Sequence, residues 1–69
     1  MPIEKAIDLV ATGPTVDAAV KEALGRASLT LKGLTRFDVQ KIEGTFDEGE
    51  VSYRVHVRVC FVLKERIHE

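Results

Sequence analysis

The C-terminal third of the chain alternates between apolar and polar residues. Over positions 51–63 every odd-numbered residue is apolar, whereas the even-numbered residues are polar until position 60. Period-two alternation with β-branched and aromatic residues is typical of a strand with one buried face. At about 3.3 Å per residue such a strand extends roughly 43 Å. We therefore expect a long strand that a chain of 69 residues cannot cover by itself.

A second alternating segment lies at the start of the chain, over positions 2–12. Its apolar face contains Ile3, Ile7, Leu9 and Ala11. Lys5 interrupts this face, and a lysine is tolerated where a strand lies at the edge of a sheet. The segment therefore predicts a strand whose first part lies near a sheet edge.

The segment 15–32 has the spacing of an amphipathic helix. Its apolar residues recur at intervals of three and four, namely Val16, Ala19, Val20, Ala23, Leu24, Ala27, Leu31 and, beyond the segment, Leu34. Thr15 is the expected N-cap and Gly33 the expected stop signal. Gly25 in mid-helix costs about 1 kcal/mol relative to alanine, and close packing at this position is one explanation for it.

The remaining segment, 36–46, predicts the first strand of a β-hairpin. Two pairs of its apolar residues differ in phase, namely Phe37 with Val39 and Ile42 with Phe46. A change of phase inside one strand indicates a bulge, which we expect around positions 40–41. The Asp-Glu-Gly sequence at 47–49 is a turn signal that leads directly into the long C-terminal strand.

The predicted order is β-α-β-β, an α+β fold in which a three-stranded antiparallel sheet curls around one helix. Residues 1–69 are expected to form one domain. The helix is about 27 Å long, so the strands should extend beyond it. Positions 59–63 are apolar on both faces, as in a strand that is covered on both sides. One helix cannot cover both faces, and we expect another subunit to supply the second cover.

Composition narrows the possible functions. Ten lysines and arginines against 11 acidic residues give a net charge of −1, which argues against general binding to nucleic acid or membrane surfaces. The apolar runs are far shorter than the ~20 residues of a membrane span. The N-terminus lacks the pattern of a signal peptide, so a cytoplasmic location is expected. A lone Cys60 allows no internal disulfide, which leaves oligomerisation as the route by which so small a chain gains stability.

No pattern in the sequence predicts catalysis or metal binding. No Ser/His/Asp or Cys/His arrangement, paired catalytic carboxylates or glycine-rich phosphate loop is present. The acidic turn at 47–50 lacks the ligand spacing of a calcium loop, and Cys60 has apolar neighbours, as expected of a packed residue. We therefore expect neither an enzyme nor a metal site.

Nearly the whole chain resembles the dodecin family. The resemblance is carried by the order of the elements and by five segments: 7–12, 17–20, 27–31, 36–39 and the hairpin in which 53–55 leads to 59–61. It implies a small β-α-β-β protein that assembles as a hollow homododecamer. It also implies that the protein is not an enzyme but binds riboflavin or FMN between subunits and thereby stores or sequesters flavin.

The resemblance also shows where this chain departs from the family. The family's flavin-stacking Trp corresponds to Arg36, and its flavin-edge Gln corresponds to Arg54, in a chain that contains no Trp. His56 shares a strand face with Arg54, so the implied cofactor-binding residues are Arg36, Arg54 and His56. His56 either lines this cleft or faces solvent or a partner subunit.

Three interpretations of the two arginines remain open. A guanidinium group stacks on flat π-systems, so Arg36 is compatible with a flavin ring. Alternatively, Arg36 and Arg54 bind an anionic ligand, which would relieve the repulsion between arginines that symmetry brings together. In the third interpretation the arginines pair with acids such as Asp38 or Glu43, and the shell is purely structural.

Overall fold

The computed structural model describes residues 3–63. They form one helix and three strands: β1 (Ile3–Gly13), α1 (Val16–Thr30), β2 (Leu34–Asp47) and β3 (Glu50–Leu63). The strand order is β1-β3-β2, and both pairings are antiparallel. The predicted β-α-β-β order and the antiparallel sheet are therefore confirmed. Position 2, where the first strand was predicted to begin, lies outside the described residues.

The helix begins as predicted and ends earlier. Thr15 Oγ1 accepts a hydrogen bond of 3.0 Å from the N–H of Ala18, which satisfies one of the free donors of the first turn. At the other end the N–H of Leu31 donates to the carbonyl of Ala27 at 2.9 Å, and Leu31 itself is already extended. The predicted helical range 15–32 was thus too long, and Leu34 belongs to β2. No helix in the described part of the chain has the length and hydropathy to cross a bilayer.

Two glycines have roles that differ from those predicted. Gly33 does not directly follow the helix end; it has φ +79°, and a Cβ there would lie 2.7 Å from the carbonyl oxygen of Val62. Its own carbonyl accepts a hydrogen bond of 3.0 Å from the N–H of Val62, so the close approach of β3 requires glycine. The packing expected at Gly25 is wrong for the single chain, because a Cβ at Gly25 would meet nothing within 4 Å.

The predicted bulge in β2 is confirmed. The pairing with β3 shifts between Val39 and Lys41, and Gln40 is the extra residue. The shift places the two out-of-phase pairs on the same face of the sheet, the one that faces α1: Phe37, Val39, Ile42 and Phe46. A second shift near Thr35 was not predicted. The hairpin turn has positive φ at Glu48 and Gly49, as in a two-residue type I′ turn.

The core lies between α1 and the central strand β3. Its buried residues are Ala19, Val20, Ala23 and Ala27 of the helix and Val55, Val57 and Val59 of β3. Small side chains on the helix allow it to approach the sheet closely. Ile7, Leu9 and Ala11 of β1 pack against this cluster, so α1 rests mainly on β1 and β3.

The sheet extends beyond the helix, as predicted. Fifteen helical residues rise about 22 Å, whereas the 14 residues of β2 extend about 46 Å. The four apolar residues that β2 turns toward the helix side are consequently 41–76% exposed. Cys60 and Phe61 are already buried within the single chain, so Cys60 does not depend on the second subunit that was expected to cover positions 59–63, and a subunit contact there stays a prediction. Leu63 is the exposed residue of that segment.

Candidate functional site

The face of the sheet that points away from α1, here called the outer face, carries most of the charged side chains of the strands. Because β3 lies between β1 and β2, residues of all three strands align in rows across this face. Four such rows are Ala6–Cys60–Arg36, Asp8–Arg58–Asp38, Val10–His56–Lys41 and Thr12–Arg54–Glu43. The rows bring basic residues of β3 and β2 next to acidic residues of β1 and β2.

Arg36 is held by two carboxylates of the outer face, one on its own strand and one on β1. Its Nη1 lies 3.2 Å from the nearer oxygen of Asp38, and its Nε lies 3.5 Å from Glu4 Oε2 on β1. To reach Glu4 the side chain must cross β3 near Cys60, which is only 3% exposed. Coulombic interaction with Cys60, followed by that with Glu4 and Asp38, raises the pKa of Arg36 above its usual value.

Arg58 and Asp8 form the shortest ion pair of the outer face. Arg58 Nε donates to Asp8 Oδ1 at 2.8 Å, and Nη2 donates to Oδ2 at 3.3 Å, so the pair is bidentate. The hydrogen bond from Arg58 lowers the pKa of Asp8, and the same bond raises the pKa of Arg58. This pair ties the edge strand β1 to the central strand.

Glu43 is shared by three basic side chains. His56 Nε2 lies 2.9 Å from Glu43 Oε1, Lys41 Nζ lies 3.4 Å from Oε2, and Arg54 Nε lies 3.9 Å from Oε1. The hydrogen bond with His56, and then that with Lys41, lowers the pKa of Glu43. Lys41 and Arg54 carry two positive charges against one carboxylate, so this cluster has an excess of positive charge even when His56 is neutral.

The structure places all three predicted site residues on the outer face but does not bring them together. Arg54 and His56 meet at Glu43. Arg36 pairs with Cys60, which lies six residues from Arg54 along β3, a separation of about 20 Å. The predicted ion pairs of Arg36 with Asp38 and of Arg54 with Glu43 are present. A ligand-binding role for these residues remains a prediction.

The residues that sequence reasoning missed lie mainly on β1. Glu4 and Asp8 were not considered as partners of the arginines, although both lie on the polar side of an alternating segment. Their spacing within β1 did not indicate which strand would lie beside them. Lys41 was noted only as part of the bulge, and it is the bulge that places it beside His56.

The outer face also has a shallow depression beside the bulge. It encloses about 310 Å³, and its polar lining consists of Asp8, Gln40, Lys41, His56 and Arg58. Within residues 3–63, acidic, histidine and cysteine side chains form no group of three or more that would hold a metal ion. The polar lining of the depression offers hydrogen bonds and charge.

Comparison with known proteins identifies a family. The family model described as Dodecin matches residues 3–64. A dodecin of Thermus thermophilus is 40% identical over 65 residues, which cover 91% of this chain and 94% of the relative. The crystal structure of a single-residue variant of the T. thermophilus dodecin is 38% identical with a TM-score of 0.89, and covers 96% of this chain and 100% of the variant.

Two more distant solved structures extend the comparison. The dodecin of Streptomyces coelicolor is 34% identical with a TM-score of 0.85, over 94% of this chain and 96% of the other. A protein of Mycobacterium tuberculosis described as calcium dodecin, a calcium-chelating antigen with a novel calcium-binding site, is 26% identical with a TM-score of 0.76, over 97% of this chain and 99% of the other. With a family match over residues 3–64 and relatives that align over nearly their whole length, this chain belongs to the dodecin family.

Proposed function

We propose that this chain is a non-enzymatic, dodecin-type protein that assembles as a homododecamer and binds a flavin, riboflavin or FMN, for storage or sequestration. The colinear match to dodecins over residues 3–64 carries this proposal. The assembled unit is the whole chain, 1–69, and the ligand lies between subunits. Arg36, Arg54 and His56 are the residues of this chain that contact it.

The surroundings of Arg36 favour a neutral ring as its ligand. The N–H groups of a guanidinium lie in its plane, so Asp38 and Glu4 approach Arg36 at its edges. A guanidinium whose edges are occupied in this way still offers a flat face for stacking on an isoalloxazine ring. The two carboxylates also compensate its positive charge, which reduces the repulsion between Arg36 side chains of neighbouring subunits and removes the need for an anion at this position.

A second candidate function, binding of an anionic ligand, is favoured by the Glu43 cluster. Lys41 and Arg54 share one carboxylate there, so a phosphate group would find uncompensated positive charge. Because Arg36 lies about 20 Å away along the sheet, an anion would be bound through Arg54 and Lys41 rather than through both arginines. For FMN, the same cluster is a partner for the phosphate.

Titration with riboflavin and FMN, followed by quenching of flavin fluorescence, tests both candidates. Wild-type protein is expected to bind both flavins at micromolar concentration. Arg36→Trp should tighten both by up to about tenfold, because offset stacking on Trp adds ~0.5–1.5 kcal/mol beyond burial. Arg54→Gln removes one positive charge from the Glu43 cluster and should therefore weaken the binding of FMN several-fold relative to that of riboflavin. Arg26→Gln, on the helix and paired with Glu22, is the matched control.

The outcomes separate the alternatives. If neither flavin is quenched at micromolar concentration, the flavin part of the proposal is wrong. If FMN and inorganic phosphate raise the melting temperature while riboflavin does not, the anionic ligand is favoured. If none of the three changes the melting temperature, the shell is structural.

A further inference from the structure

We propose that Glu43 competes with the phosphate group of a ligand for Lys41 and Arg54, and that protonation of His56 weakens this competition. This inference rests on the proposed function and specifies what decides between FMN and riboflavin at the Glu43 cluster. The cluster consists of Glu43 and Lys41 on β2 and of Arg54 and His56 on β3. All four side chains lie on the outer face, away from the apolar core.

The carboxylate of Glu43 occupies donors that a phosphate group would use. Its Oε2 lies 3.4 Å from Lys41 Nζ, and its Oε1 lies 3.9 Å from Arg54 Nε and 2.9 Å from His56 Nε2. Carboxylate and phosphate oxygens accept the same charge-assisted hydrogen bonds from lysine and arginine. The side chains of Lys41 and Arg54 are 61% and 56% exposed, so a ligand reaches them from solvent. Glu43 thus holds the place of an anion within the cluster.

The contacts of Glu43 with the two cations are weak enough to be exchanged. Both are long and open to solvent, and exposed ion pairs of this kind contribute little. A phosphate monoester carries about −1.5 to −2 charges near pH 7, so it attracts Lys41 and Arg54 more strongly than one carboxylate does. Glu43 remains on the outer face when it is displaced, and its charge repels the phosphate. It therefore lowers the affinity for FMN and leaves that for riboflavin, which has no phosphate, unchanged.

His56 makes the competition depend on pH. Its hydrogen bond with Glu43, at 2.9 Å, is the shortest contact of the cluster, and protonation of the ring strengthens such a bond because both partners are then charged. Histidine changes its charge between about pH 5 and pH 8. The protonated ring binds Glu43 in place of Lys41 and Arg54, which leaves both cations to the phosphate.

The surroundings of His56 link its proton to the bound phosphate. The charged groups around the ring are Glu43 and Lys41 of β2, Arg54 and Arg58 of β3, and Asp8 of β1. Its direct neighbour on β1, Val10, is apolar, and Asp8 is already paired with Arg58. A phosphate adds an anion beside the cations, so phosphate binding and protonation of His56 favour each other. The affinity for FMN relative to riboflavin should therefore rise as the pH falls from about 8 to about 6.5.

Removal of the Glu43 charge tests the competition most directly. Glu43→Gln keeps the size of the side chain, and quenching of flavin fluorescence measures the binding of both ligands. The variant should bind FMN about tenfold more tightly than wild type at low salt, and the gain should shrink at high salt, while riboflavin binding is unchanged. Glu22→Gln is the matched control, because it makes the same change on the helix, where Glu22 pairs with Arg26. It should leave both affinities as in the wild type.

A pH profile separates this role from a merely structural one. The ratio of FMN affinity to riboflavin affinity is measured between about pH 8 and pH 6.5 in wild type and in His56→Gln. The ratio should rise several-fold in the wild type as the pH falls. In His56→Gln it should not rise, because the phosphate itself then gains protons and loses charge. Equal profiles in the two proteins would overturn the role of His56.

Failure of this inference is distinguishable from failure of the proposed function. If Glu43→Gln binds FMN as the wild type does, or tightens FMN and riboflavin equally, the competition is wrong while flavin binding stands. An equal gain in Glu22→Gln would also overturn it, because the effect would then follow from total charge. If no variant binds either flavin, the flavin proposal fails and inorganic phosphate decides. A melting temperature that phosphate raises more in Glu43→Gln than in wild type supports the competition, and no difference overturns it.

Discussion

The two faces of the sheet are held by different forces. On the helix side, Val55, Val57 and Val59 are almost completely buried against alanines of α1. On the outer face, side chains such as Arg36, Arg58 and Glu43 are held by ion pairs that remain open to solvent. Burial of apolar area stabilises a fold strongly, whereas surface ion pairs contribute little. The outer face is thus the one on which residues change without loss of the fold.

This difference explains how the fold tolerates an arginine at position 36, to which the family resemblance assigns a stacking Trp. The side chain of Arg36 is not part of the apolar core around α1. Its positive charge is compensated by Asp38 on its own strand and by Glu4 on β1, across the sheet. The fold is determined on one face, while the candidate ligand contacts lie on the other.

Truncation of one valine on each face of the sheet is the strongest test of the difference between the two faces. Val57→Ala should lower the free energy of unfolding by about 2 kcal/mol, because it removes two methyl groups from a fully packed site and leaves a cavity. Val10→Ala makes the same change on the outer face, where Val10 is half exposed, and should cost well under half as much. Urea denaturation measures both. Equal losses would contradict the assignment of the core to the helix side.

A second test concerns the role of Arg36 as a cover on the outer face. Arg36→Ala should increase the rate at which Cys60 reacts with a thiol reagent several-fold, because the arginine side chain crosses β3 beside that cysteine. Arg54→Ala, which removes an arginine farther along the same face, should leave the rate unchanged. Equal reactivity in wild type and Arg36→Ala would show that other groups bury Cys60.

The smallest expected effect is a dependence of stability on pH. The pKa values of Glu43 and Asp8 are lowered in the folded chain by His56 and Arg58. Their pairs therefore stabilise the fold above the ordinary pKa values of 4.5 and 3.8, and this contribution is lost as pH falls through the lower, folded values.

Urea denaturation between pH 7 and pH 3 measures this effect. The free energy of unfolding should fall as the pH drops below about 4.5, and Glu43→Gln combined with Asp8→Asn should flatten the profile. Added salt should weaken the dependence, because both pairs are exposed. A double variant that keeps the wild-type profile would assign the acid sensitivity to other carboxylates.

Local pattern predicted most of the fold. Alternation located the strands, the N-cap of Thr15 located the helix start, and the change of phase between Val39 and Ile42 located the bulge. These features depend on neighbours in sequence, and each has a local signal. The end of the helix was placed too late because Gly33 was interpreted as a helix stop. The glycine is instead required where β3 passes close to it at Val62, and this contact joins segments that are distant in sequence.

The candidate site was predicted only in part for the same reason. Arg54 and His56 were predicted to share one face of β3, because alternation determines which face a residue occupies, and the register confirms that they do. The role of Glu4 and Asp8 depends on β1 lying beside β3 rather than β2, and no local pattern encodes the order of strands in a sheet. The separation of Arg36 from Arg54 follows from the register in which β2 pairs with β3, which no local pattern encodes either.

The central claim is that one chain leaves the helix side of its sheet incomplete and that copies of the same chain complete it. Light scattering of the purified wild-type protein tests this claim most directly. The expected mass is about 92 kDa, twelve times the chain mass of 7.7 kDa. A single species of 7.7 kDa with a cooperative unfolding transition would contradict it, because the exposed row from Phe37 to Phe46 would then be stable in solvent.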